Sequence, residues 1–449
     1  MRIKTEIPLT LSLISKLVSD TAAPDVKINA ITTNSKLCEK NDLFIALKGE
    51  KFDGADFVKE AKRKGAFVLS ERDGDFTVKN AYSALLKIAE HYKELASPKY
   101  TIAITGSCGK TTVKDFTHLL LAPYMSTHKT KENYNNSLGV AHTLFTLPYA
   151  ATVLVCEVGM NHIGEISELS RALHPDISVI TNIGTAHIGN LGSREAIADA
   201  KLEIEDGMND GKTIFFKEEP LLLKAKNPYF ISFCDRNADM YVEILSRTEE
   251  GSRIFIKTNA NEYQIASPLT SIHTLNSLIL SVASATVIGL SPIEIVKAAE
   301  KIDSSALRQK FLTVSGFRIY DDSYNSSPDA VITDLRMLKE RQEAFSALIG
   351  DMLELGDKSE ALHEMVGREC AKNKASKLYL FGNFAKSIAK GAIIEGMDEK
   401  NIFVNTDLTR PDLTAFQIKE TYENERILIK ASHSVNIKRV IDILKKGGN

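Results

Sequence analysis

A glycine-containing loop with a lysine and two threonines is the segment of this sequence best suited to phosphate chemistry. Its members are Thr105, Gly106, Ser107, Cys108, Gly109, Lys110, Thr111 and Thr112. Backbone N–H groups at a glycine turn before a helix can surround phosphate oxygens. Lys110 would then contact the β- and γ-phosphates of a triphosphate, and the Thr111 hydroxyl would bind Mg²⁺. The loop therefore predicts use of a nucleoside triphosphate.

This loop does not identify the reaction. Ile104 stands where the common GxxxxGK[ST] pattern has its first glycine, so the spacing is GxxGKT. A tight strand-to-helix turn with a solvent-facing lysine is the alternative interpretation. Kinases, motors, transporter ATPases and ligases all remain possible on the loop alone.

Three polar residues further along the chain could complete a phosphate site. Glu157 ends an apolar run and His187 follows another, and ligands collect at the carboxyl edge of parallel strands. A capping or surface carboxylate is the alternative for Glu157, and a satisfied core residue the alternative for His187. Lys201 lies in a helix predicted to begin near Ser193, where a lysine is ordinarily solvated.

The elements that must position these residues divide into three α/β regions. The first, residues 1–98, has short strands and a helix with apolar residues at helical spacing, ended by Ser97-Pro98. The second, 99–306, has buried β-branched runs typical of parallel strands covered by helices. The third, 307–449, alternates strands and helices as in a doubly wound, Rossmann-like domain. We therefore predict an α/β protein of three domains.

Composition excludes several classes of protein. The 449 residues include 43% hydrophobic and 25% charged residues, and the net charge is −2, so we expect no nucleic-acid partner. The five cysteines show no metal-binding spacing. Polar residues interrupt the apolar N-terminal stretch, so we expect no signal peptide, no membrane insertion and a cytoplasmic location. We also expect a monomer.

Motifs in all three regions resemble those of the Mur ligases, whose central domain is shared with folylpolyglutamate synthases. In the central region, beside the phosphate loop, these are Asn133 to Gly139, Glu157 to His162 and Asn182 to Gly189. In the flanking regions they are Asn34 to Lys36, Ala46 to Gly54, Arg308, Asp321 to Pro328 and Gly350 to Gly356. The flanking motifs are similar to those of the D-alanyl-D-alanine-adding members. Departures at Ser327, Ala431 and His433 bear on substrate details.

The resemblance implies roles for residues that spacing alone leaves open. The catalytic residues would be Lys110, His187, Lys201 and Arg308. Thr111 and Glu157 would contribute to a first Mg²⁺ site, and His187 to a second. Lys201, carbamylated by CO₂, would support that second Mg²⁺, since an unmodified ammonium would repel the ion.

Further residues would bind ATP and the substrates. The residues that would bind ATP are the loop from Gly106 to Thr112 together with Asn276, Arg308, Asp322, Tyr324 and Asn325. Those for the UDP-sugar peptide and the incoming dipeptide are Ser35, Lys48, Asn133, Asn135, Asn136, Lys430, Ser432 and Ser434. N-capping of a helix is the alternative for the segment around Asn276.

The resemblance implies an ATP-dependent ligase that forms an acyl phosphate and joins D-alanyl-D-alanine to a UDP-N-acetylmuramoyl-tripeptide. The first region would bind the UDP-sugar, the second ATP, and the third the dipeptide. Another Mur-type amino-acid ligase, a folylpolyglutamate-synthase-like ligase and a P-loop ATPase that drives a partner's conformational change are the competing hypotheses. The third residue of the acceptor peptide, and tolerance for a D-Ala-D-lactate donor, stay open.

Overall fold

A computed structural model describes residues 1–19, 22–49, 52–248, 250–303, 310–323 and 326–446 of the chain. Three separate β-sheets organise them, each with helices packed on it. None of the helices in these residues is long and apolar enough to cross a bilayer. The predicted α/β class with three sheet-based regions is confirmed.

The first sheet has five short strands, ordered β1-β2-β3-β4-β5, with β1 antiparallel and the rest parallel. Its strands are β1 Arg2–Ile3, β2 Ile31–Thr32, β3 Leu43–Ile45, β4 Phe67–Ser70 and β5 Phe76–Thr77. Its helices are α1 Leu11–Val18, α2 Val58–Arg63 and α3 Ala81–Ala96. The short strands and the helix before Ser97-Pro98 that the sequence predicts are therefore present.

The central sheet has nine strands in the order β14-β13-β12-β11-β10-β9-β6-β8-β7. They are β6 Tyr100–Thr105, β7 Thr127–Lys129, β8 Val153–Glu157, β9 Ile177–Ile180, β10 Lys212–Phe216, β11 Pro228–Ser232, β12 Met240–Arg247, β13 Ser252–Thr258 and β14 Glu262–Ser267. The helices are α4 Lys110–Leu121, α5 Ser137–Phe145, α6 Glu165–Leu173, α7 Ile188–Leu191, α8 Arg194–Leu202, α9 Ile272–Ile288 and α10 Pro292–Ala299.

The predicted parallel strands form one side of this sheet, and β6 lies between β8 and β9. The chain crosses from one side of β6 to the other between these two neighbours, which opens a crevice at their carboxyl ends. The antiparallel strands β12, β13 and β14, which extend the sheet, were not predicted.

The third sheet has the order β15-β16-β20-β17-β18-β19, and only β15 is antiparallel to its neighbour. Its strands are β15 Lys310–Val314, β16 Phe317–Asp321, β17 Phe345–Gly350, β18 Leu378–Phe381, β19 Ile402–Asn405 and β20 Arg426–Lys430. Its helices are α11 Pro328–Glu340, α12 Ser359–Lys372, α13 Ala385–Ile394, α14 Pro411–Thr421 and α15 Lys438–Lys446. The carboxyl ends of β16 and β20 are adjacent, so residues that follow them lie together.

Three half-buried histidines lie on α4, the helix that follows the phosphate loop, and on the neighbouring β7 and α5. Burial is the main cause that lowers the pKa of His118, His128 and His142, and positive charge on one histidine opposes charge on the next. The ring of His128 contacts the Thr143 carbonyl oxygen through Nε2 at 3.1 Å. The native state therefore binds protons here less readily than the unfolded chain does.

We expect thermal stability to fall as the pH drops below about 6.5, the ordinary value for histidine. The pKa values of the three histidines are lower in the folded protein than in the unfolded chain. Their contribution to stability is therefore complete above the unfolded-state pKa and is lost as the pH falls through the folded-state pKa values. Melting curves from about pH 7.5 to about pH 5 should show a shallower fall in His128→Gln than in the wild type. The exposed His162→Gln is the control, and equal slopes for His128→Gln and wild type would refute the assignment.

Candidate active site

The phosphate loop joins the end of β6 to the first turn of α4, where Lys110, Thr111 and Thr112 lie. Gly109 caps the helix with φ 82°, and Gly106 has φ 144°. A Cβ on Gly106 would lie 1.8 Å from Thr181 Oγ1. Both positions require glycine because each has a positive φ that side chains disfavour. Gly106 is required in addition because a side chain there would collide with Thr181.

Residues just after β9 hold this loop in place. The Ser107 N–H donates to the Asn182 carbonyl at 3.1 Å, and the Cys108 N–H donates to Asn182 Oδ1 at 3.0 Å. The Thr181 hydroxyl donates to the Cys108 carbonyl at 2.5 Å. The phosphate loop and the residues after β9 are therefore joined by hydrogen bonds. The Lys110 ammonium donates to the Gly106 carbonyl of the same loop at 2.5 Å.

Oxygen atoms suited to Mg²⁺ meet beside the loop. The Thr111 hydroxyl donates to Glu157 Oε2 at 2.7 Å, and Asn135 Nδ2 donates to Oε1 at 2.8 Å. Glu157 is only 2% exposed. No cluster of three or more His, Cys, Asp or Glu side chains fit to hold a metal occurs in the described residues. One carboxylate and one hydroxyl fit an ion that completes its shell with phosphate and water oxygens, as Mg²⁺ does.

The asparagine-rich segment before α5 lies on the other side of Glu157. Asn136 caps α5 by accepting from the Gly139 N–H at 2.9 Å, and the Asn135 N–H donates to the Asn133 carbonyl at 2.7 Å. The segment is tied to α4 by Lys114, whose ammonium donates to the Glu132 carbonyl at 2.6 Å. Sequence reasoning missed Lys114, although it lies one helical turn after Lys110.

Lys201 is buried in α8, which Ser193 caps as predicted. Its side chain is 1% exposed, and within the part of the chain that the structure describes its ammonium has no hydrogen-bond or ion-pair partner. Burial first, and the positive charge of Lys110 second, hold the pKa of Lys201 well below its usual value. The ordinary expectation of a solvated surface lysine is therefore wrong here.

His187 precedes α7 with the left-handed φ of 64°. Its Nδ1 lies 2.6 Å from Oε2 of Glu354, a residue of the loop after β17. Asp329 in α11 makes a second contact between the third region and this segment. Its Oδ2 accepts hydrogen bonds from the N–H and from the hydroxyl of Thr185, each at 2.5 Å. Sequence reasoning missed both carboxylates, because no local pattern reports a contact between distant elements.

Asn276 lies in the first turns of α9, which packs beside the phosphate loop. The Ser281 hydroxyl, one turn further on, donates to the Val113 carbonyl of α4 at 3.1 Å. The Asn276 Oδ1 is buried and has no hydrogen-bond partner among the described residues. An acceptor left open in this way fits a ligand that brings a donor, such as the amino group of adenine.

Lys430 and Asp322 meet at the adjacent ends of β20 and β16. The Lys430 ammonium pairs with Asp322 and lies 2.7 Å from Asp334 Oδ2. Burial works to lower the pKa of Lys430, but the two carboxylates outweigh it and raise this pKa above its usual value. Burial also raises the pKa of Asp334 to about 7, against the opposing effect of Lys430. Contact of Lys430 with a dipeptide stays a prediction, since its ammonium faces these carboxylates.

The remaining predicted residues lie in varied settings. The Ser432 hydroxyl accepts from the Leu353 N–H at 2.9 Å, whereas Ser434 is exposed. In the first sheet, the buried Ser35 donates to Glu60 at 2.7 Å, and Lys48 is exposed. The predictions that fall outside the described residues are those for Arg308, Tyr324 and Asn325.

Three family models match consecutive parts of the chain. They are "Mur ligase family, catalytic domain" over residues 27–99, "Mur ligase middle domain" over 104–285 and "Mur ligase, glutamate ligase domain" over 308–433. The chain is 32% identical to the UDP-N-acetylmuramoyl-tripeptide--D-alanyl-D-alanine ligase of Bacillus subtilis, an alignment that covers 97% of this chain and 98% of the relative.

Solved structures give the same likeness. MurF from Acinetobacter baumannii superposes with a TM-score of 0.87 at 25% identity, covering 98% of this chain and 99% of that one. The MurF ligase from Thermotoga maritima in complex with ADP gives a TM-score of 0.80 at 25% identity, covering 93% and 97%.

We expect replacement of Lys430 by methionine to destabilise the protein by about 3 kcal/mol or more, because the buried Asp334 and the half-buried Asp322 would lose their shared cation. Urea unfolding should show this loss, and a second change, Asp334→Leu, should recover part of it by removing one of the charges. Lys445→Met on the exposed face of α15 is the control. A Lys430→Met protein with wild-type stability would show that the cluster contributes little.

Proposed function

This chain belongs to the Mur ligase family, and on that premise we propose that it is an ATP-dependent ligase that adds D-alanyl-D-alanine to UDP-N-acetylmuramoyl-tripeptide in peptidoglycan synthesis. The observation that carries the proposal is the 32% identity to a ligase of that name across 97% of the chain. The likeness extends through the third sheet, where a dipeptide-specific region is expected. Residues 1–98 would bind the UDP-sugar, 99–306 ATP, and 307–449 the dipeptide.

The reaction needs a leaving group on a carboxylate. The tripeptide carboxylate attacks the γ-phosphorus of ATP, so that an O–P bond forms, the bond to ADP breaks and an acyl phosphate results. The dipeptide amine then attacks the acyl carbon, forms the C–N bond, loses a proton and expels phosphate. Lys110 acts here by leaving the Gly106 carbonyl for the phosphate oxygens, where its charge opposes the repulsion between two anions.

The residues around the phosphate loop would hold two Mg²⁺ ions, which supply positive charge against the triphosphate. Thr111 and Glu157 form the first site, which the hydroxyl–carboxylate contact of 2.7 Å supports. His187 and a carbamate on Lys201 would hold the second ion. The lowered pKa of Lys201 supports carbamylation, because only the neutral amine attacks CO₂, forming an N–C bond and losing one proton.

The remaining residues bind and orient the substrates. Asn276 offers its open Oδ1 to the adenine amino group. Arg308, Asp322, Tyr324 and Asn325 contribute to ATP binding from the third region. The residues that bind the UDP-linked peptide and the dipeptide are Ser35, Lys48, Asn133, Asn135, Asn136, Lys430, Ser432 and Ser434.

Phosphate release should depend on both the UDP-tripeptide and D-Ala-D-Ala, because an acyl phosphate shielded from water waits for the amine. A colorimetric phosphate assay with ATP, Mg²⁺ and a panel of UDP-muramoyl peptides measures this directly. Omission of either substrate should bring release to the background rate. Equal turnover with ATP alone would contradict ligase activity and favour a P-loop ATPase.

Lys201→Met should lower ligase turnover by about 10²-fold or more while leaving the melting temperature unchanged or higher. The fold gains because a buried amine with no partner among the described residues is replaced by an apolar chain of similar length. In Lys201→Ala, added formate should restore part of the activity by supplying the missing carboxylate oxygens.

Lys226→Ala, an exposed lysine of the same region, is the control for formate. Wild-type turnover in Lys201→Met, at low and high bicarbonate alike, would rule out the carbamate.

A further inference from the structure

Lys114 is a buried lysine of α4 that lies one helical turn after the phosphate loop. Its ammonium donates to the Glu132 carbonyl at 2.6 Å and lies 3.6 Å from Oδ1 of Asp115. Lys129 pairs with that same carboxylate at 2.6 Å. A buried cation thus bonds a neutral backbone oxygen, on the segment that leads to Asn135.

The Glu132 carbonyl belongs to a turn with an uncommon backbone. The Tyr134 N–H donates to the Lys131 carbonyl at 3.1 Å, which makes Glu132 the first of the two central residues of the turn. Glu132 has φ 49°, a left-handed conformation that side chains disfavour and that persists where surrounding contacts impose it. Glu132 is exposed, so packing of its side chain does not impose it. The hydrogen bond from Lys114 supplies such a contact.

The turn leads directly to Asn135, which contacts the loop after β8 at two points. Its carbonyl accepts from the Gly159 N–H at 2.8 Å, and its Nδ2 donates to Glu157 Oε1 at 2.8 Å. A Cβ on Gly159 would lie 2.8 Å from the Asn135 Cγ, so the two segments pack closely. Glu157 Oε2 accepts from the Thr111 hydroxyl at 2.7 Å. The asparagine thus occupies one carboxylate oxygen, and the other faces the hydroxyl.

We propose that Lys114 is a positioning residue that holds the Glu132 carbonyl, keeps Asn135 against Glu157 and so fixes which carboxylate oxygen faces Thr111. The inference rests on the proposed function, which gives Thr111 and Glu157 their role at the first Mg²⁺. All of these groups belong to the central sheet and its connections, so the effect does not require the third region.

The physical basis is the orientation of a metal ligand by the groups that bond it from outside the ion's shell. Hydrogen bonds to a ligating carboxylate set the direction in which it presents its oxygens. Thr111 and Lys114 are three residues apart on α4, so they lie on the same face of the helix. Without Lys114 the turn would lose a contact that opposes its relaxation, and Asn135 would shift away from Glu157.

Calorimetric titration of the full-length protein with a nonhydrolysable ATP analogue, in Mg²⁺ and in EDTA, tests the proposal. The wild type should bind the analogue more tightly in Mg²⁺. In Lys114→Met the Kd in Mg²⁺ should rise about 10-fold, the lower end of the usual effect of losing a group that orients a metal ligand. The Kd in EDTA, which reports the phosphate loop without the ion, should stay at the wild-type value.

The direction of the change separates positioning from charge. Removal of a cation near a Mg²⁺ site would by itself strengthen binding of the ion, because like charges repel. Weaker binding in Lys114→Met is therefore expected only if the lysine acts through Glu157. Lys129→Met is the matched control, since it removes the cation that pairs with Asp115 and leaves the Glu132 contact in place. It should bind the analogue as wild type does in both buffers.

Two changes at the exposed Glu132 test the turn without altering the core. Proline cannot adopt a positive φ, so Glu132→Pro should reproduce the loss of about 10-fold in Mg²⁺ with Lys114 in place. Glycine adopts the left-handed conformation readily, so Glu132→Gly should bind as wild type does. Combined with Lys114→Met, the same glycine should restore part of the lost affinity.

An unchanged or lower Kd in Mg²⁺ for either Lys114→Met or Glu132→Pro would overturn the proposal. Equal rises of the Kd in Mg²⁺ and in EDTA would overturn it as well, because the lysine would then act on the phosphate loop or on the fold. So would a wild-type protein with the same Kd in both buffers. Wild-type phosphate release that depends on D-Ala-D-Ala separates these failures from a failure of the proposed ligase function.

Discussion

The close approach of the phosphate loop to the end of β9 determines the geometry of the site. Gly106 lies so near Thr181 that a Cβ would come within 1.8 Å of its hydroxyl, and Asn182 then bonds the next two loop residues. Because β6 also pairs with β8, this contact places Glu157 on one side of the loop. The segment with His187 is placed on the other. A ligand bound to the loop would therefore lie between Glu157 and the His187 segment.

A buried lysine near the phosphate loop lowers the stability of the fold. Lys110 lies close enough to Lys201 to help lower its pKa, and the Lys201 amine is buried without a hydrogen-bond partner among the described residues. Burial of an unpaired ammonium disfavours the charged form strongly, so the lysine gives up its proton more readily than a surface lysine does. A fold optimised for stability alone would place an apolar residue there. The structure has instead an amine whose pKa burial lowers.

Local sequence predicted those features of the site that depend on local geometry. Glu157 and His187 were found because each follows an apolar run, and the ends of parallel strands meet at one edge. Lys430 was assigned to substrate by the same reasoning, yet its ammonium faces the half-buried Asp322 and the buried Asp334 of helix α11. Glu354 lay within the Gly350 to Gly356 motif but was given no role, because its contact with His187 joins distant elements. Such contacts join elements far apart in sequence. Strands β12 to β14 were missed for another reason, since they are hairpins between neighbouring segments that extend a sheet whose other strands are parallel.

The contacts between the third region and the His187 segment are individually weak. A half-exposed ion pair such as His187 and Glu354 contributes about 0 to 1 kcal/mol, and the hydrogen bonds beside it are replaced by water when they part. These contacts alone therefore contribute little free energy to the docking of the third region. Opening of the junction would let substrates enter and the product leave. Ligands that span the junction would add contacts on both sides, so their binding energy would favour the docked arrangement.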